Sequence, residues 1–194
     1  MLRLWRALVR LFFRLLYNQF AWTYDWVAWI VSFGQWKAWG RTALPYLTGK
    51  RVLEVAHGPG HLLGAMVEQG MAPVGLDLSP YMGRLARRRL STDGGLGVPL
   101  VRARAQALPF RDGRFDSVVS TFPTEFILAR ATLREAARVL DQAGRFVIVA
   151  GIHLGERDLI SRLIWWLYRI TGQGEPIPAA AHRVLAEAGF TSRV

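Results

Sequence analysis

A doubly wound, mostly parallel α/β sheet is predicted by three features of this 194-residue chain. Short apolar segments alternate with longer segments of helical periodicity, a glycine turn follows the first apolar segment of the central region, and an acid closes the second. Such alternation favours parallel pairing, because each helix carries the chain back across the sheet. Strands are expected at residues 51–56, 72–77, 98–103, 115–120 and 144–150, and helices at 60–70, 79–91, 129–140 and 178–189. With 52% hydrophobic residues the chain is long enough for one domain with a real core.

Before that domain lies an arm, residues 1–48. Its opening, "MLRLWRALVRLFFRLLY", places Arg3, Arg6, Arg10 and Arg14 within about an 80° arc of a helix whose remaining wheel is Leu, Trp, Val and Phe. That pattern suits a helix lying in a membrane interface, with arginines among the headgroups; a lid on the protein's own core and a mitochondrial presequence are the competing readings. The next stretch, "FAWTYDWVAWIVSFGQWKAW", is interrupted by Thr23 and Asp25 and is too short in its apolar part to span a bilayer. Six of the eight tryptophans fall in the arm, and the other two, Trp165 and Trp166, sit in a second basic and aromatic patch, a helical insertion at about 156–171. The net charge of +11 implies a polyanionic neighbour. Basic residues alternating with bulky aliphatic ones favour an anionic membrane surface over nucleic acid. The absence of cysteine excludes disulfides, thiolate metal sites and cysteine nucleophiles.

The domain proper, residues 49–194, begins with "RVLEVAHGPGHLLGAM", a strand, a glycine turn and a helix. A phosphate-cradling P-loop needs Gly-Lys-Ser/Thr, but Gly60 is followed by His61 and Leu62. The dinucleotide fingerprint needs glycine at position 63, which is Leu63. Asp77 closes the second strand in "PVGLDLSP", at the spacing where an acid holds ribose hydroxyls. The turn is therefore read as holding a nucleoside without a pyrophosphate.

Four ordered motifs carry a family resemblance over about residues 50–150. "VLEVAHGPG", "GLDLSPYM", "ARAQALPFRDGRFDSVVSTFP" and "LREAARVLDQAGRFVIV" together resemble the class I S-adenosylmethionine-dependent methyltransferases of Rossmann-like fold, and among them the type 11 domain of enzymes that methylate quinones and lipids. The resemblance implies S-adenosyl-L-methionine as cofactor. It places Glu54 in the acidic position, Gly58 and Gly60 as the paired glycines, Ala56 at a position where the family has glycine, and Asp77 with Leu78 beside the ribose and adenine. Ala105 would donate its backbone N–H to the adenine. Arg104 stands where the family has an adenine-reading aspartate, so the amide oxygen of Gln106 is the substitute acceptor. His57, where the family has a small residue, and Thr121 would line the methionine end. Family members continue into two further strands beyond "GFTSRV", so shortened C-terminal strands are expected.

Methyl transfer from a sulfonium needs alignment and water exclusion more than a catalytic side chain. Candidate catalytic residues are Glu125, after the fourth strand, and Tyr24, which resembles an N-terminal tyrosine covering the cofactor in related enzymes. Glu125 reads equally as an exposed acid at a helix start, and Tyr24 as an interfacial aromatic. His61 and His153 are isolated, and no spacing supports a metal. The arm suggests an amphiphilic acceptor, a quinone precursor or an aminophospholipid, and a peripheral position on the cytoplasmic face of a membrane, or the mitochondrial matrix and inner membrane in a eukaryote. Two alternatives stand beside this reading: a non-catalytic membrane-associated scaffold that keeps the fold, and a soluble small-molecule methyltransferase whose arm is a lid.

Overall fold

The computed structural model describes residues 34–92, 97–150 and 179–193. The amphipathic segment 1–17, Tyr24, His153 and the aromatic insertion at about 156–171 lie outside the described residues. The described elements are α1 (Trp36–Arg41), a 3-10 turn (Leu44–Tyr46), β1 (Arg51–Val55), α2 (His61–Glu68), β2 (Ala72–Asp77), α3 (Pro80–Thr92), β3 (Leu100–Arg102) and β4 (Phe115–Thr121). A second 3-10 turn (Glu125–Leu128), α4 (Arg130–Val139), β5 (Leu140–Val149) and α5 (Ala179–Glu187) follow.

The strand order is β3-β2-β1-β4-β5 and all four pairings are parallel, so the sheet is the doubly wound one expected. The winding reverses between β1 and β4, which puts the ligand crevice at the carboxyl ends of those two strands. Each predicted strand and helix lies within a few residues of its expected place. The main departure is β5, which starts at Leu140 instead of 144. Phe115 pairs with Leu140 and Ser117 with Arg145, so residues 141–144 bulge from the ladder. Gly144 is required there because a Cβ would come within 2.9 Å of the Asp141 carbonyl oxygen and 3.2 Å of that of Asp116.

Alternation along β1 feeds two cores, one on each face of the sheet. Val52 joins Leu62, Leu63, Ala65 and Met66 on the α2 side. Leu53 and Val55 join Phe115, Val118, Ile127 and Val139 on the other. Burying each of these side chains other than Ala65 contributes about 1.5–3 kcal/mol. Glu54 follows the alternation onto the Val52 face and is 1% exposed.

The amino end of the sheet is fastened by Asp116. Its Oδ2 accepts the backbone N–H groups of Lys50 and Arg51, each at 2.9 Å, and its Oδ1 accepts the Arg51 guanidinium, which also reaches Asp141 at 3.0 Å. Gly49 adopts φ 68°, and a Cβ there would collide with the Asp116 carboxylate. Arg51 is the main cause holding the Asp116 carboxyl below its ordinary pKa.

Candidate functional site

Past Val55 the chain leaves the sheet through a turn built on positive φ angles. Ala56 (60°), Gly58 (53°) and Gly60 (81°) all lie in the left-handed region. The backbone N–H of Ala56 donates to the Leu76 carbonyl at 2.7 Å, and that of Gly60 to the His57 carbonyl at 3.0 Å. The two glycines serve different needs. A Cβ on Gly60 would stand 2.9 Å from that of Ala86, so Gly60 lets the start of α2 meet α3. A Cβ on Gly58 would meet nothing within 4 Å, which leaves this backbone open to a ligand. Ala56 holds without strain relief the conformation that glycine adopts freely, at a cost of about 1–2 kcal/mol.

Asp77, at the end of β2, orients the turn. Its carboxylate accepts the Gly58 N–H at 3.0 Å and the Ser79 N–H at 2.8 Å. Beneath it His57 is 4% exposed and its ring Nδ1 lies 2.7 Å from the Gly58 carbonyl oxygen. A Cβ on Gly75 would fall 2.9 Å from the His57 ring, so the bare backbone of Gly75 makes room for this histidine. Burial lowers the His57 pKa, against the opposing charge of Asp77. His57 thus lies packed under the turn, and it borders both cavities of this region.

Glu54 is the chemical anomaly. Its Oε2 is buried and has no hydrogen-bond partner. Desolvation, and then the charge of Asp77, raise its pKa well above the usual carboxylate range. A cation or hydrogen-bond donor placed beside it would supply the missing partner and favour the ionised form. Glu54 lines a narrow cleft of about 50 Å³ together with Ala56, Gly58, Thr121, Phe122 and, from α1, Trp36 and Lys37. Phe122 is the second non-glycine residue at positive φ (50°), and its N–H donates to the Val149 carbonyl at 2.7 Å. Its ring packs on Trp36 with centroids 4.5 Å apart. The Ser120 hydroxyl donates to the Val55 carbonyl at 2.8 Å, tying the carboxyl ends of β1 and β4 together beneath this cleft.

An orphaned buried carboxylate, an open glycine backbone and an acid held in place by two N–H groups fit a nucleoside bearing a cationic amino-acid tail. In that fit Glu54, His57, Gly58, Gly60 and Thr121 would surround the tail, and Asp77 would meet the ribose. Leu78 is 55% exposed at the end of β2, available to cover a purine face. Ala105 is buried and Gln106 exposed on the loop after β3. That loop is latched from α4, since Glu135 accepts the Leu108 N–H at 2.6 Å and Arg138 donates to the carbonyls of Leu108 and Phe110. Neither Ala105 nor Gln106 lines either cavity, and Glu125 is exposed at the 3-10 turn outside both. Trp36, Lys37 and Phe122 were not singled out from sequence as site residues. The local signals were the aromatic density of the arm, for Trp36, and the end of the fourth strand, "STFPTEFI", for Phe122, and neither says what those rings cover.

Comparison with known proteins agrees with this geometry. A family model described as a methyltransferase domain matches residues 53–148. A demethylmenaquinone methyltransferase of Thermus thermophilus is 31% identical, over 92% of this chain and 92% of its own length. A ubiquinone/menaquinone biosynthesis C-methyltransferase UbiE of Geotalea uraniireducens is 33% identical over 65% of this chain, which spans 57% of that relative's length. Among solved structures, an S-adenosylmethionine-dependent methyltransferase of Methanococcus maripaludis superposes with a TM-score of 0.69 at 22% identity, covering 89% of this chain and 84% of the other. A phosphoethanolamine N-methyltransferase 2 of Haemonchus contortus, crystallised with phosphomonomethylethanolamine and S-adenosylhomocysteine, superposes at 0.61 with 22% identity, covering 81% of this chain and 37% of the other.

Proposed function

Because the chain belongs to the class I S-adenosylmethionine-dependent methyltransferases, we propose that it methylates a quinone-type amphiphile at a membrane surface. The acceptor class rests on one observation, the end-to-end similarity to the Thermus thermophilus demethylmenaquinone methyltransferase. The cofactor, when bound, supplies an electrophilic methyl group on a cationic sulfur. What this chain contributes is position. Asp77 would hold the ribose hydroxyls, Glu54 the cationic tail, and the Trp36–Phe122 pair would exclude water from the cleft between α1 and β4. Phe122 would also offer an aromatic face to a flat acceptor. Carbon methylation of a quinol requires loss of a proton, for which Glu125, exposed at the 3-10 turn after β4, is the candidate base, while Tyr24 would cover the cofactor.

The membrane part of the proposal rests on the arginine-rich arm and the second tryptophan patch in the sequence. The attachment proposed is peripheral, on the cytoplasmic face, because Thr23 and Asp25 interrupt the apolar stretch of the arm.

The test is transfer of labelled methyl from S-adenosylmethionine to a short-chain demethylmenaquinol in anionic vesicles. Expected is a methylated quinol and co-sedimentation lost on deleting residues 1–17. Cofactor binding with transfer only to an aminophospholipid would replace the acceptor. Binding of neither S-adenosylmethionine nor S-adenosylhomocysteine would make the chain a scaffold. Full activity without vesicle binding would make the arm a lid.

A further inference from the structure

The narrow cleft above β1 is lined by two opposite charges that do not meet. Glu54 enters it from the strand and Lys37 from α1. Glu54 is 1% exposed, and its Oε2 has no hydrogen-bond partner. Lys37 is exposed, and among the described residues its ammonium pairs with no carboxylate. An acid and a lysine on one small cleft ordinarily close on each other, because an unpaired buried oxygen is costly. Here they stand apart, which leaves room between them for a group carrying both signs.

Three contacts fix α1 over the cleft. Trp39 is buried, Trp36 stacks on Phe122 at 4.5 Å, and Arg41 pairs with Glu68 of α2 at 2.7 Å. With the backbone so placed, Trp36, Lys37 and Gly40 border the cleft. Packing does not require Gly40 to be glycine: a Cβ there, like one on Gly58, would meet nothing within 4 Å. Both glycines therefore leave bare backbone beside the two charges. The space, about 50 Å³, is a few times the roughly 10–15 Å³ that a single water needs, the scale of an amino-acid head.

The tail of the cofactor carries an ammonium and a carboxylate on one carbon, and Glu54 answers only the first. We propose that Lys37 determines specificity for the second: its ammonium pairs with the tail's carboxylate while Glu54 takes the tail's ammonium, so that α1 and β1 together select an α-amino acid. This pairing rests on S-adenosylmethionine as the occupant of the cleft. A tail lacking either charge would leave one side chain unanswered, which is how the two would discriminate. The other titratable groups on the cleft are His57, packed under the turn, and His61 in the first turn of α2. No side chain caps that turn, so its N–H groups are the rival holder of the carboxylate.

The test is calorimetry on the full chain in about 150 mM salt, which screens long-range attraction. Its ligands are S-adenosylmethionine, the decarboxylated form that lacks only the carboxylate, and 5′-methylthioadenosine, which lacks the whole amino-acid head. The parent should prefer S-adenosylmethionine to the decarboxylated form by about tenfold or more, the worth of one charge-assisted hydrogen bond. Lys37→Met should abolish that preference, binding S-adenosylmethionine about tenfold more weakly and the other two ligands within about twofold of the parent. Lys37→Arg should restore most of it. Lys50→Met, which removes an exposed lysine at the amino end of β1, should change nothing.

Equal losses for all three ligands in Lys37→Met would overturn the pairing, since the side chain would then act only by holding α1. An unchanged S-adenosylmethionine affinity would overturn it as well, and would give the carboxylate to the first turn of α2. Should Lys37→Met fail to fold, the parent alone decides, because indifference to the carboxylate overturns the pairing without any variant. Binding of none of the three by the parent would sink the cofactor reading itself, a result distinct from binding that ignores Lys37.

Discussion

The two ends of β1 treat polar groups in opposite ways. At the amino end Asp116 collects two backbone N–H groups and a guanidinium, and Arg51 spends its remaining capacity on Asp141. At the carboxyl end Glu54 keeps a buried oxygen with no partner, and Ala56 and Phe122 sit at positive φ. The first arrangement completes itself and fastens strands. The second is held by the surrounding sheet at a cost of a few kcal/mol, and the described residues do not complete it. Unsatisfied polar capacity, more than the size of a cavity, separates the functional end from the structural one.

Four substitutions test that division, in order of expected effect. Asp116→Ala should cost about 2–4 kcal/mol of stability in thermal unfolding, because it strands two backbone donors and a guanidinium, while cofactor affinity of the folded protein is unchanged. Since Arg51 lowers the Asp116 pKa, the stability it provides is present above the ordinary carboxylate range and lost as pH falls through the lowered value. The variant should lack that acid limb. Reduced cofactor affinity at normal stability would erase the distinction between the ends.

Asp77→Ala should do the reverse, weakening S-adenosylmethionine by about 1–3 kcal/mol in calorimetry, with Asp77→Asn intermediate. An unchanged affinity would move the ribose elsewhere. Glu54→Gln sharpens the comparison by sign. The raised Glu54 pKa gives stability that is present below about pH 4.5 and lost as pH rises towards the folded value. The glutamine variant should therefore unfold at a higher temperature than the parent at pH 7, yet bind the cofactor about tenfold more weakly, roughly 1.4 kcal/mol. A variant less stable at pH 7 would show that the carboxylate has a partner after all. Ala56→Gly is the smallest. Relief of the left-handed alanine against glycine's extra chain entropy should leave a gain of up to about 1 kcal/mol. A loss would show that the turn needs the methyl group.

Much of the site was legible because it is local. Glu54 lies near the end of one strand, Gly58 and Gly60 follow it, and Asp77 ends the next, so their order along the chain carries their place in the motif. Ala56 is instructive: its place in the motif could be read, but the strain at φ 60° could not. His57 was expected at the methionine end, and the structure finds it packed under the turn against Gly75 while bordering both cavities. Glu125 was a candidate base from its position after β4, and its exposure at the 3-10 turn depends on how that turn packs.

Strand–helix alternation and the glycine turn after the first strand were determined by the sequence alone, since periodicity and turn chemistry act over a few neighbouring residues. Only the tertiary structure decided that Trp36 would meet Phe122, that Glu54 would be left without a partner, and that Lys37 would line one cleft with Glu54. Those encounters join residues far apart in the chain, and they follow from strand order and helix docking. The period of a segment says which side is buried, and is silent about which distant segment it will be buried against.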